Sequence, residues 1–307
     1  MAAPSGTFLT TAAIGNREDL SDAIYRISPT TTPVLSGASK TKATNTLHEW
    51  QTQDLASAAS NAQAEGDDAS NKTVTPTVRL TNRTQISTKT VQVSGSQQNV
   101  NPAGRKDELG YQMALASLEL KRDMEYGLTQ NDVLATSPRK SRGLAGWVVD
   151  NYNKASDTTL ASYSGNTART KGTTRAFTET MLKDVLQQIY TAGGEPDTIM
   201  MGPSAKQTFS SFSGNCTRID KSEDAKVVAA VDVYVGDFGE LSAVPNRFQD
   251  TSDVFILQMD KLAIAYLRPF QTADLAKTGD AERKMIVTEY TLECRAPKAH
   301  GAVYDVA

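Results

Sequence analysis

His48 and His300 are the only histidines in this chain of 307 residues, and Cys216 and Cys294 the only cysteines, with the members of each pair far apart in sequence. A catalytic triad built on histidine, or a zinc cluster of His and Cys ligands, needs several such groups converging, and the material is nearly absent. Both histidines therefore read as structural or surface residues. The glycine-framed nucleophile, dinucleotide and phosphate-loop motifs are missing, and "GDFGEL" (236–241) reads as a turn. Asp67 and Asp68 are adjacent carboxylates, but they sit among small residues, where solvated acids are expected rather than an acid/base pair. No catalytic residue, metal ligand or cofactor site emerges, and the chain is not expected to be an enzyme.

What chemistry is left is that of charge. The net charge of -3 and the pI near 5.6 argue against a dedicated nucleic-acid binder, which is usually strongly basic. A local cluster, Arg139, Lys140 and Arg142 in "SPRKSRG", has the composition to touch nucleic-acid phosphate, or else to form a solvated loop. From Ala43 to Asn71 there are five acidic residues (Glu49, Asp54, Glu65, Asp67, Asp68) and no Lys or Arg. From Ala69 to Lys106 the balance inverts, with Lys72, Arg79, Arg83, Lys89, Arg105 and Lys106 and no acid.

That inversion falls on one unit. "LHEWQTQDL" (47–55) reads as a strand, 56–72 as a small-residue tip and "TPTVRLTNRTQISTKTVQVSG" (75–95) as the return strand, together a long ribbon over 44–100. Its apolar residues change from even positions (Val74, Val78, Leu80, Ile86) to odd ones (Val91, Val93), which places a bulge or bend between Ile86 and Val91. An isolated ribbon is at best marginally stable, so it needs a surface it does not bring with it. Either its legs neutralise one another, or the acidic residues Glu65, Asp67 and Asp68 meet Arg79, Arg83 or Lys89 of another copy.

The elements around the ribbon are clearer. Residues 1–43 read as an arm with a short amphipathic helix at 18–27. Residues 105–130, free of proline, predict one long helix with a stripe of Leu109, Met113, Ala116, Leu120 and Met124, widened by Tyr111, Leu115 and Leu118. Residues 131–177 read as basic loops and short strands. Thr178 predicts an N-cap, with Phe177 and Leu182 as a hydrophobic staple and Gly193, Gly194 and Pro196 as the stop. Several strands follow without regular βαβ alternation, which makes the class α+β. Trp50 and Trp147, lacking the interleaving of a base-stacking platform, read as packing anchors. No apolar run approaches the length of a membrane helix, and no secretory signal is visible, so a reducing compartment, synthesis in the cytosol and an unprocessed N-terminus are expected.

The order of elements resembles the major capsid proteins of tailed bacteriophages, the Hong Kong 97-type fold. "SPTTTPVLSG", "HEWQTQDL" with "NAQAEGDD", "VYVGDFGELSAVPNRF", "AYLRPFQT" and "TLECRAPKAHGAV" are similar, in that order, to one branch of the family. The resemblance implies an extended loop at 44–100 lying over the adjacent subunit, and a peripheral domain at 101–178 and 271–307 whose spine helix is 105–130. It implies an axial domain at 179–270. It further implies hexamers and pentamers in an icosahedral virion shell around double-stranded DNA, assembled in the host cytoplasm. A portal, a decoration protein and a scaffolding protein separate from this chain would be the partners, with no membrane. Some relatives join subunits by Lys to Asn bonds; Lys72 is the candidate here, with no acceptor or catalytic carboxylate identified. Two other readings stay open: a bacterial nanocompartment shell of the same fold, and a monomeric surface-binding or glycan-binding β module.

Overall fold

The computed structural model describes residues 28–68, 71, 73–100, 107–212 and 233–307. The expected helix at 18–27, Lys72, Arg105, Lys106 and Cys216 lie outside them. In chain order, helix α1 (Pro33–Gly37) leads to β1 (Ser39–Lys42), β2 (Leu47–Thr52), β3 (Val78–Arg83), β4 (Gln85–Ser94), α2 (Gly95–Asn99) and the long α3 (Glu108–Thr129). Short strands β5 (Ala135–Thr136), β6 (Arg139–Lys140) and β7 (Asn151–Asn153) precede α4 (Glu179–Thr191), β8 (Thr198–Met201) and α5 (Pro203–Ser210). The chain closes with β9 (Val233–Gly236), β10 (Gly239–Pro245), β11 (Asp253–Leu257), β12 (Leu262–Asp274), β13 (Ala281–Cys294) and β14 (Gly301–Tyr304).

Two sheets carry the body. The six-stranded one runs β7-β14-β11-β8-β10-β9, and its central strands β14, β11 and β8 are buried on both faces. These three are correspondingly near-continuous apolar runs, whereas β10 alternates, with Leu241 and Ala243 facing inward. In β11, Val254 and Ile256 point to a core with α4 and α5, whereas Phe255 and Leu257 point to a second core with Trp147, Leu262 and Leu292. The period of two thus distributes one strand between two cores. Each such fully buried side chain contributes roughly 1.5–3 kcal/mol. Helix α4 follows its sequence cues: Phe177 and Leu182 are both buried, and Gly193 ends the helix with a φ of +86°. Thr178 occupies the N-cap position but makes no capping hydrogen bond through its side chain.

The four-stranded sheet runs β1-β12-β13-β4, and α3 lies across it. Leu109, Ala116, Leu120 and Met124 are buried along the predicted stripe; Met113 is half-buried. This sheet corrects the ribbon reading. Residues 85–94 pair antiparallel with 281–290 of the same chain, so half of the long return strand lies on its own body. The switch of faces falls at Thr84, not between Ile86 and Val91: Leu80, Asn82 and Thr84 are buried, while Ile86 is 44% exposed. There the strand stops pairing with β2 and begins pairing with β13.

Pairing also crosses the expected domain boundaries. β12 belongs with β13 in the four-stranded sheet although it straddles residue 270, and β14 and β7 lie in the six-stranded sheet with 198–257.

Candidate assembly surfaces

The ribbon has a fastened root and a free end. At the root, Trp50 faces Leu80 across the β2–β3 pair. The Trp50 indole Nε1 donates to the Cys294 carbonyl at 2.8 Å, and its ring lies 5.3 Å from that of Trp147, which is buried. Both tryptophans are packing anchors. The His48 Nε2 sits 2.9 Å from Glu293 Oε2, and Asp54 pairs with Lys298. Burial alone would raise the Glu293 pKa, but hydrogen bonds from His48, Arg295 and Thr41 outweigh it and hold the carboxyl at about 2. The other leg is fixed by Asn82, whose amide donates to the Leu292 carbonyl at 2.7 Å and accepts from the Arg142 N–H at 2.8 Å.

Beyond Asp54 the chain leaves its own body. The described residues from 55 to 77 are all exposed, and Leu55 and Val74 are 96% and 81% accessible. A turn at Glu65–Gly66 reverses the chain, with Gly66 at a φ of +84° where a side chain would be strained. Glu65, Asp67 and Asp68 have no ion-pair partner among the described residues.

The basic candidates are placed differently from what charge counting implied. Arg79 reaches Glu49 on the facing leg at 3.7 Å, a partial self-neutralisation of the hairpin. Lys89 is held by Asp123 at 2.8 Å and Glu119 at 3.8 Å on α3, and the Asp123 hydrogen bond raises its pKa. Arg83 lies half-buried on β3 with its Nε enclosed and unpaired. Arg139 pairs with the buried Glu289 at 2.6 Å, and Lys140 with Asp132 at 2.6 Å. Arg142 is 1% exposed, its guanidinium 5.0 Å over the Trp147 ring, and burial lowers its pKa to about 10. The nucleic-acid reading is corrected for Arg142: a side chain enclosed by Trp147 and Asn166 cannot reach a phosphate.

A family model described as SU10 major capsid protein matches residues 5–307. The chain belongs to the SU10 major capsid protein family. It is 30% identical over 334 aligned residues to the major capsid protein of Escherichia phage Phieco32, with 95% of each chain covered. The capsid asymmetric unit of cyanophage A-1(L) superposes with a TM-score of 0.72 at 13% identity, covering 97% of this chain and 98% of that one. An encapsulin complex from Synechococcus elongatus superposes with a TM-score of 0.58 at 11% identity, covering 95% and 92%. The fold is the Hong Kong 97-type capsid fold, and the chain is a structural protein of a phage shell.

Two groups that stabilise this capsid protein were invisible as motifs. Glu125 on α3 is fully buried and accepts from the backbone N–H groups of Val34 (2.9 Å) and Leu35 (2.8 Å) and from the Asn246 amide (2.6 Å). Burial still raises its pKa. Arg169 grips Asp253 with both oxygens at 2.6 and 2.7 Å and Asp305 at 2.9 Å, under the Tyr304 ring. Its partners are remote in sequence, so no local spacing announces them. His300, the second predicted structural histidine, accepts at Nδ1 from the Gln258 N–H, and burial lowers its pKa from 6.5 to about 4.

The His300 shift predicts acid sensitivity. Between about 6.5 and 4 the unfolded chain binds a proton that the folded chain refuses, so this contribution is complete above 6.5 and is lost as pH falls through that window. The loss amounts to about 3 kcal/mol. Urea unfolding at pH 7 and pH 4 should show a smaller drop for His300→Gln than for the parent; equal drops would exclude His300 as the group responsible.

Proposed function

We propose that this chain forms hexamers and pentamers of a closed icosahedral shell enclosing double-stranded phage DNA. Residues 55–77 would extend over the adjacent subunit, α3 would serve as the spine of a peripheral region, and the six-stranded sheet with α4 and α5 would approach the capsomer centre. The single observation that carries the reading is a projecting ribbon end with no support from the described residues of its own chain, in a member of a capsid family. A shell distributes modest contacts over many neighbours, which is how such an element gains a partner. Assembly in the host cytoplasm, with a separate scaffolding protein, a portal and a decoration protein, completes the proposal. DNA would be met by non-specific charge contacts, with Lys140 and Arg139 the more accessible of the basic cluster.

Sedimentation and negative-stain microscopy of the purified chain should give rings or closed particles. A compact monomer at every concentration, with residues 55–77 resistant to protease, would refute the shell. Portal and terminase genes beside this one favour the phage particle over a nanocompartment, and their absence from the neighbourhood counts the other way.

A further inference from the structure

The shell reading leaves open where the acidic ribbon end lands, and the three basic residues first paired with it are poorly placed to answer. Arg79 serves its own hairpin, Lys89 serves α3, and Arg83 is half-buried. A different surface has the complementary character. Between α3 and β12 runs an open groove of 850 Å³, with Leu35 and Ile286 buried beneath it and Met113 and Phe270 half-exposed along it. Among the described residues its charged lining is Lys40 and Lys121, both exposed, with no carboxylate. Neither lysine has an ion-pair partner among the described residues.

We propose that this groove receives the ribbon end of a second copy of the chain, with Lys40 and Lys121 as counter-charges for Glu65, Asp67 and Asp68 and the apolar floor as the seat for Leu55 or Val74. Among the described residues of one chain, charge is unsatisfied on both sides, and it is complementary between two copies. The apolar residues match as well: the ribbon end exposes two large aliphatic side chains and a series of alanines, and the groove offers half-covered Met113 and Phe270. Reach is sufficient, because the dozen residues between Thr52 and Glu65 span up to about 40 Å when extended. The groove lies on the Ile286 end of β13, away from the Glu293–Lys298 segment where the ribbon's own root is fastened. This inference rests on the shell reading and names the surface that reading requires.

Charge exchange and cross-linking test it. Lys40→Glu with Lys121→Glu, and separately Asp67→Lys with Asp68→Lys, should each lower shell yield at low salt about tenfold or more, since facing like charges cost several kcal/mol at an interface. Combining all four should restore the yield, and salt near 1 M should lessen each one-sided defect as the screening length falls to about 3 Å. Unaltered far-ultraviolet dichroism and melting of each variant monomer keep misfolding apart from lost docking. In parental shells assembled from a mixture of light and 15N-labelled chains, zero-length carbodiimide coupling should join Lys40 or Lys121 to Glu65, Asp67 or Asp68 in mixed-label peptides. The in-chain Lys298–Asp54 pair is the positive control. Parental yield from both one-sided reversals, or coupling of the two lysines to Glu18, Asp19 or Asp22 of the N-terminal residues instead, would overturn the docking while leaving the shell intact. Failure of the parental chain to form any particle, even with its scaffolding protein supplied, would refute the closed-shell reading instead.

Discussion

Arg169→Met should lower the unfolding free energy by about 3–5 kcal/mol, because removing one partner of a buried ion pair strands the other charges without solvent. Asp253 and Asp305 are each 1% exposed, so both would be stranded. Burial already pushes the Asp253 carboxyl up to about 6 with the guanidinium in place. Without Arg169 it rises further, and the folded variant then holds protons that the unfolded chain releases. The sign of that linkage makes the variant's deficit grow as pH rises through the new value and shrink in acid. Adding Asp253→Asn and Asp305→Asn should recover part of the loss, since amides carry no charge to bury. Residue 305 has a φ of +60°, which Asn tolerates. Equilibrium urea unfolding at pH 5 and pH 8 checks both claims. A single variant within about 0.5 kcal/mol of the parent, at either pH, would mean that the three groups contribute little.

Replacing residues 56–73 by Asn-Gly should separate folding from assembly. The described residues of the excised segment are exposed, and the cross-leg hydrogen bond from the Gln53 amide to the Thr75 carbonyl stays. The monomer's stability is therefore expected within about 0.5 kcal/mol of the parent, as for other surface changes. Shell formation should fall about a hundredfold or more, corresponding to roughly 3 kcal/mol of lost contact per subunit. Light scattering of particle formation and urea unfolding of the monomer read the two quantities separately. Full assembly of the truncated chain would show the ribbon end to be dispensable and would remove the main support for its role between subunits.

Much of the fold was legible because helices and buried strands write their burial into local spacing. The stripe on α3, the staple at Phe177 and Leu182, and the apolar runs of β11 and β14 each needed only neighbours three, four or two positions away. The return strand of the ribbon was legible as a strand but not as two strands. Its residues carry high β propensity throughout, and the change of partner at Thr84 depends on where β13 comes to lie, which no local pattern encodes. Charge was the least informative signal. Arg142 and Lys140 look equivalent in "SPRKSRG", yet one is enclosed against Trp147 and the other pairs at the surface with Asp132. Opposite net charge on the two legs was read either as self-neutralisation or as a contact between copies; Arg79 meets Glu49 on the facing leg, whereas Lys89 finds Asp123 on α3. The sequence was equally silent on Lys40 and Lys121, which stand apart in sequence and acquire meaning only when α3 and β12 form the walls of one groove.

Glu125 has a mechanical consequence. One carboxylate ties the backbone at Val34 and Leu35, the last turns of the sheet-spanning helix and the Asn246 corner after β10 into a single knot. A pull on the residues ahead of Ser28 meets this knot before it meets β1, whose parallel ladder to β12 would otherwise be unzipped one bond at a time from its end. The two hydrogen bonds from Val34 and Leu35 share the tension and must break together, whereas a ladder pulled from its edge loses them singly. The entry of the N-terminal arm is thus strain-relieved in the manner of a cable clamp: tugging on the arm loads the rigid α3 beam and the six-stranded sheet in parallel and spares the thin outer edge of the four-stranded one.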